Sequence, residues 1–304
     1  MAAMQFETPP VTPTAAPAAK PFSKRFWKSV REFPMFYLGA LIIVLLILAA
    51  VLAPVISPHN PTTQFSDGLN ANGTPVGPNA KFPFGTDNLG RDILSRVLYG
   101  AQVSLLVGIV STVINLFLGV LVGTVAGYFG RWVDNVLMRV TDIILAFPLL
   151  LFAMALVAVL GPSLWNVLLA IGVLGWGTMA RVVRGQVLAA REFEYVQAER
   201  ALGASNSRIM FKVILPNIIG PVIVLATLNV GQNILTEAAL SFLGIGIQPP
   251  TPSWGNMIQA GMQTYQFAPW TLWFPGLALV IAVLGFNLLG DGLRDILDPR
   301  NTQH

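Results

Sequence analysis

The sequence predicts an all-α polytopic membrane protein with about six transmembrane helices and both termini inside. Three observations lead there. Of 304 residues, 54% are hydrophobic and only 11% charged, with a mean hydropathy of +0.67, whereas soluble domains carry roughly 25% charged residues. Long stretches such as Ala101 to Phe129 and Ile143 to Ala180 hold no charge at all, and a bilayer crossing needs about 20 such residues. Fifteen of the 18 Lys and Arg fall on segments that this topology places inside, leaving Lys81, Arg91 and Arg96 outside. That asymmetry is the positive-inside bias of membrane insertion.

Several function classes drop out on composition. The formal net charge of +4 is explained by the inside loops, and no nucleic-acid motif accompanies it. With no cysteine in the chain, disulfides, thiolate metal sites and Cys nucleophiles are excluded. His59 and His304 are the only histidines, too few for an imidazole metal cluster or a His-based triad. No phosphate loop, nucleophile elbow or pair of carboxylates lies within an apolar run. The expectation is therefore no enzyme activity and no cofactor in this chain.

In order, residues 1–35 read as an inside tail, rich in Pro, Ala and Thr at its start and disordered there. Residues 36–56 form the first span, uncleaved because Met1 to Lys20 lacks the apolar core of a signal peptide. Residues 57–100 form an outside loop dense in Pro, Gly and Asn. It ends in FGTDNLGRDILSRVLYG from Phe84, either a short amphipathic helix lying at the outer interface or a plain helical lead-in to the next span.

Residues 101–292 form the core. Gly108, Gly119, Gly123 and Gly127 recur along span two at spacings that let helices approach closely. The uncharged run before Arg181 is nearly twice as long as one crossing needs, so it folds as a hairpin turning at Gly161, Pro162 and Ser163. Gly172, Gly175 and Gly177 make span four a packed or bent helix. An inside loop, 186–216, leads to span five, Asn217 to Glu237. Residues 238–270 are uncharged yet broken by Pro249, Pro250 and Pro252, which predicts an outer scaffold covered by other helices, because irregular backbone at membrane depth must be buried in protein. Span six runs from Thr271 to Leu289, and 293–304 finish inside.

One stretch interrupts the apolar pattern with charge. Tyr195 to Asn217, YVQAERALGASNSRIMFKVILPN, carries Glu199, Arg200, Arg208 and Lys212 close together. It reads as helix, turn, helix: Gln186 to Leu202 is rich in helix formers, Gly203 suits the C′ position, Ser205 or Asn206 can cap the second helix, and Pro216 ends that helix or opens span five. Such a loop is either a solvated charged face or a docking surface. Glu237 is the ionisable group deepest in a span; it either meets solute or gate, with Asn233 beside it, or hydrogen-bonds the outer loop.

The inside stretch resembles the EAA loop of ABC importer permeases, in which Glu-Ala-Ala is followed after three residues by Gly and after nine more by Ile-x-Leu-Pro. Ala198, Gly203, Leu215 and Pro216 match, while Gln197, Glu199 and Val213 stand where that pattern has Glu, Ala and Ile. Three further segments, FGTDNLGRDILSRVLYGAQVSL from Phe84, AALSFLGIGIQPPTPSWGNMI from Ala238 and LLGDGLRDILDP from Leu288, look like the C-type permease subunit of the dipeptide, oligopeptide and nickel importers. The resemblance implies a type I ABC importer permease fold in a bacterial or archaeal cytoplasmic membrane. It also implies pairing with a B-type permease subunit, two cytoplasmic ABC ATPase subunits and an extracytoplasmic solute-binding protein. Gln197, Ala198, Glu199, Arg200, Gly203, Ala204, Ser205, Leu215 and Pro216 would then form the ATPase-coupling element. The solute implied is a peptide, with nickel chelate, glutathione or oligosaccharide as alternatives. A secondary transporter is expected to show an ionisable site at mid-membrane or broken helices in paired repeats, and neither stands out in the sequence.

Overall fold

A computed structural model describes residues 32–297; of the expected inside tails, 1–31 and 298–304 lie outside the described residues. Leaving aside helical turns of six residues or fewer, the helices among the described residues are α1 Pro34–Val51, α2 Ile93–Phe129, α3 Arg131–Ala146, α4 Leu149–Leu160, α5 Leu164–Leu174, α6 Trp176–Ala190, α7 Glu194–Ala201, α8 Ile219–Phe242, α9 Trp254–Gly261 and α10 Trp270–Leu297. Five segments, α1, α2, α5 with α6, α8 and α10, are long and apolar enough to cross a membrane, and α3 with α4 makes a sixth, bent by 84°. Among the described residues only two isolated β-bridges occur, Leu69 with Pro75 and Thr86 with Asp92.

The spine is α2. Asp92 caps it, accepting from the Ser95 backbone N–H at 3.0 Å. Its 37 residues run about 55 Å at ~1.5 Å per residue, against roughly 30 Å of hydrocarbon. Gly119, Gly123 and Gly127 share one face, four residues apart. A Cβ at Gly119 would come 2.5 Å from Met179 Cβ, and one at Gly123 would come 2.5 Å from the Ala180 carbonyl oxygen. The bare glycine face is thus the groove in which α6 lies.

Close approach also joins the two ends of the chain. A Cβ at Gly39 on α1 would sit 2.4 Å from Leu289 N, and one at Gly292 on α10 would sit 2.4 Å from Phe36 Cα. The start of α1 therefore lies against the end of α10, the two helices run antiparallel, and their inner ends share one side.

The bend between α3 and α4 falls at Phe147–Pro148. Proline has no N–H to donate and pushes the residue before it out of the helical region, and Phe147 is extended, with ψ 134°. The α4–α5 turn uses Gly161 at φ +90°, while Ser163 caps α5 by accepting from Asn166 N at 3.1 Å. Two ion pairs tie α3 to α6: Asp134 takes a forked Arg184 at 2.5 and 2.6 Å, and Asp142 takes Arg181 at 2.7 Å.

Outside the spans, residues 57–92 fold into a cap over the outer ends of α2 and α10. Thr86 is fully buried, its hydroxyl donates to Gly68 O at 2.5 Å, and Trp270 Nε1 donates to Thr86 O at 3.1 Å. Phe84 stacks on Phe274 with ring centroids 3.9 Å apart. Of the two readings of the segment from Phe84, the helical lead-in to the next span holds from Ile93, and a separate amphipathic helix at the interface within 57–100 does not form. Phe84–Asp92 is irregular and α2 begins at Ile93, because Arg91 and Arg96 are buried against the cap instead of lying on a headgroup surface. In the stretch 238–270, α8 continues to Phe242 and only part of the rest packs inward: Ser253 and Trp254 are fully buried, Trp254 Nε1 donates to Val97 O at 3.1 Å, and residues 248–251 and 265–267 are exposed.

Candidate functional site

The charged inside stretch forms a compact loop fastened to three spans. Its first helix is shorter than the sequence suggests. Gln186 to Leu202 is not one helix: α6 ends at Ala190, Phe193 is extended at ψ 145°, and α7 starts at Glu194. Helix propensity across this stretch favours continuity, but tertiary contacts override it. Arg191 turns to donate from Nη1 to Gly127 O at 3.0 Å, and the break lets Val196 bury fully beside Met179, Val187, Ile209 and Ile214.

Two reciprocal bonds close α7. Gly203 N donates to Arg200 O and Ala204 N to Glu199 O, each at 3.1 Å, the paired C-terminal motif that needs a left-handed residue at C′. Gly203 supplies it at φ +81°. Ser205 then caps the next turn, accepting from Arg208 N at 3.4 Å, and Glu199 faces Arg208 Nε across the turn at 3.4 Å. Asn206 accepts from the Tyr128 hydroxyl at 2.8 Å, which ties the loop to the inner end of α2. Arg200 lies over the same Tyr128 ring at 5.7 Å.

The return to α8 is irregular in a way that suits Pro216. A proline ring collides with the carbonyl four residues back, here Lys212. Ile209–Ile214 forms a wide π turn just before it, and Asn217 Nδ2 donates to Val213 O at 2.7 Å. Widened turns of this kind absorb an inserted irregularity without ending the helix.

The structure therefore brings together nine residues picked out from sequence. Gln197 donates to Glu192 O at 3.1 Å, Ala198 is exposed, Ala204 and Leu215 pack against the inner apolar cluster, and Glu199, Arg200, Gly203, Ser205 and Pro216 take the places given above. The tip is apolar and uncovered: Leu202 is 85% exposed. Tyr128, Gly127 and Arg191 belong to the same construction; the sequence marks Gly127 only as part of the glycine face of span two and does not single out Tyr128 or Arg191. Tyr128 at the inner end of an uncharged run carries the one signal, since an aromatic hydroxyl there seeks a partner.

Glu237 and Asn233 are not part of this loop. Both sit on α8 within the spans and are buried. Glu237 accepts from Ser104 Oγ at 3.0 Å and from Ser241 Oγ at 2.7 Å, and Ser241 Oγ in turn accepts from Ile247 N at 3.0 Å. One carboxyl group thus joins α2, α8 and the outer scaffold. Asn233 donates to Thr112 Oγ1 at 2.9 Å. Glu237→Ala strands two buried hydroxyls, at a cost of about 1–3 kcal/mol, whereas Glu237→Gln keeps an acceptor. Thermal unfolding in detergent is expected to rank wild type, Gln and Ala in falling order; equal midpoints would remove the structural role.

The model of the binding-protein-dependent transport system inner membrane component matches residues 119–303, and that of the N-terminal TM domain of oligopeptide transport permease C matches residues 21–75. The dipeptide transport system permease protein DppC of Alkalihalophilus pseudofirmus is 44% identical over 274 residues, 90% of this chain and 88% of the relative. The oligopeptide transport system permease protein OppC of Bacillus subtilis is 42% identical, covering 90% of each chain. The glutathione transport system permease protein GsiD of Escherichia coli is also 42% identical, over 90% of this chain and 89% of its own.

Proposed function

The chain belongs to the family of binding-protein-dependent transport system inner membrane components, and on that premise we propose that it is the C-type permease subunit of a peptide-importing ABC transporter. It forms half of the translocation path in the cytoplasmic membrane, with a B-type permease subunit as the other half. Two ABC ATPase subunits bind inside and a solute-binding protein delivers peptide outside. The chain binds no nucleotide or cofactor of its own; hydrolysis takes place in the ATPases.

The observation that carries this reading is the construction of the loop from Glu194 to Asn217. Its base is fastened to α2, α6 and α8 by Tyr128, Arg191 and a buried apolar cluster, while its tip at Leu202 is open. A rigid element with an uncovered apolar tip, continuous with two spans, can pass a push from a soluble partner into the membrane. Closure of the ATPase pair stabilises one of two arrangements of the spans, and the loop is where that preference enters. Gln197 and Glu199 serve the loop's own shape, through Glu192 O and Arg208, so partner contact falls mainly to Ala198, Leu202 and the backbone near Gly203.

Leu202→Cys is expected to cross-link to an ATPase subunit in membranes, with a yield that changes when ATP is trapped. Labelled dipeptide uptake in a deletion strain should require both the chain and ATP, and should persist with the proton gradient collapsed. Ionophore-sensitive uptake without an ATPase would instead mark a secondary transporter. Glutathione, itself a short peptide, is the second solute to test, because relatives named for its transport match as extensively as those named for dipeptides.

A further inference from the structure

The α4–α5 hairpin and the helices on its inner side belong to different packing units. Ala153, Val157, Val167 and Ile171 of the hairpin share a buried apolar cluster with Val107 of α2 and Leu240 of α8. Met179, Val183 and Val187 of α6 belong to another, with Val196 and Ile214 of the loop from Glu194 to Asn217. The two clusters have no residue in common. Because the ion pairs Asp134–Arg184 and Asp142–Arg181 bind α3 to α6, α3, α6 and the loop make one inner unit.

Two backbone segments run from this unit to the hairpin, and both are interrupted. One is the bend of 84° at Phe147–Pro148; the other is Gly175, between the end of α5 and the start of α6. They lie side by side, since Phe147, Leu149, Leu174 and Gly175 line one partly open cavity of about 100 Å³. Protein interiors leave few voids larger than a water molecule, so the side chains here have room to shift. Asn115 of α2 lies against the second interruption. Its Nδ2 donates to Gly172 O in the last turn of α5, and its Oδ1 accepts from Asn233 Nδ2 at 3.2 Å. A Cβ at Gly175 would come within 2.6 Å of that amide, so the amide sits there only because the residue is glycine.

We propose that the two interruptions form a joint, at which the α4–α5 hairpin and the inner unit turn against each other as rigid pieces. The joint presupposes the coupling role of the loop, and it is where the two arrangements of the spans differ. Hinges confine a motion to a few residues at the ends of elements, and sharp bends in helices fall at proline and at disrupted turns. Asn115 keeps the α5 side of the joint hydrogen-bonded to α2 and α8.

The test places spin labels on the complete importer, with its ATPase subunits, in the nucleotide-free and ATP-trapped states. Trp132→Cys with Val159→Cys, both at exposed positions, reads the angle between α3 and α4. A change of ~20° there moves the two positions by roughly 4 Å, at about 1.5 Å per residue along each arm. Trp132→Cys with Gly185→Cys, also exposed, reads α3 against α6. On ATP trapping the first distance is expected to shift and the second to stay. Gly175→Ala, which favours a continuous α5–α6 and displaces the Asn115 amide, should abolish the shift and lower peptide uptake about tenfold, with ATP hydrolysis retained. The label positions lie on the surface, so the distances can be read even if Gly175→Ala does not accumulate. An unchanged first distance overturns the joint, and so does an equal shift in both pairs. Neither result touches the importer reading, which ATP-dependent uptake by the same labelled protein checks separately.

Discussion

Replacing Gly203 by valine or proline is expected to abolish uptake while the protein still accumulates in the membrane. The φ of +81° costs a residue with a Cβ about 1–2 kcal/mol, and more when the side chain is β-branched. Proline fixes φ near −65° and removes the N–H that closes on Arg200 O. A Cβ here would touch nothing within 4 Å, so the damage is to the direction of the backbone and not to packing. The core and the spans are untouched, which is why abundance should hold. Gly203→Asn, which tolerates the left-handed region, should keep much of the activity. Labelled peptide uptake set against a quantitative membrane blot reads the outcome, and normal transport by the valine and proline variants would remove the lever from the mechanism.

Gly123→Leu should act through the opposite route, by loss of the folded protein. Its Cβ alone would lie 2.5 Å from the Ala180 carbonyl and 2.8 Å from Val183 Cβ, atoms fixed on α6 that cannot move aside. Overpacking of a tight site costs about 1–3 kcal/mol or more, and ~1 kcal/mol shifts melting by roughly 2–4 °C in a chain of this size. A fall of about 5–10 °C in detergent, with matching loss from the membrane, is expected. Gly185→Ala on α6 is the control: nothing lies within 4 Å of the added carbon, and melting should stay level or rise slightly.

Much of this architecture is legible in one sequence because hydrocarbon imposes simple demands. Uncharged length marks α1, α2, α8 and α10, and the arginines that end the spans mark the inner side. The glycines of α2 announce a packing face, and Gly203 and Ser205 announce the turn they make. Other features lie beyond local pattern. The bend at Phe147–Pro148 has a signal in Pro148, hidden within an apolar run that reads equally well as one crossing. The break at Arg191–Phe193 has none, since those residues are ordinary in helices and only the burial of Val196 and the reach of Arg191 to Gly127 decide it. The cap misleads for a related reason. Arg91 and Arg96 look like surface charges until the folded loop covers them, and no count along the chain shows that Asp87 and Pro61 O will be waiting.

The length of α2 has a consequence for how lipids bear on the coupling surface. About 25 Å of the helix extends past the hydrocarbon, and an even share leaves roughly 12 Å on the inner side. The headgroup layer takes up about 5–8 Å of that, so the inner end of α2, to which Tyr128 ties the loop, stands roughly 5 Å beyond the headgroups. That is within the Debye length of ~8 Å at physiological salt. With Arg200, Arg208 and Lys212 close together on the loop, coupling should respond to a change from a neutral to an anionic leaflet.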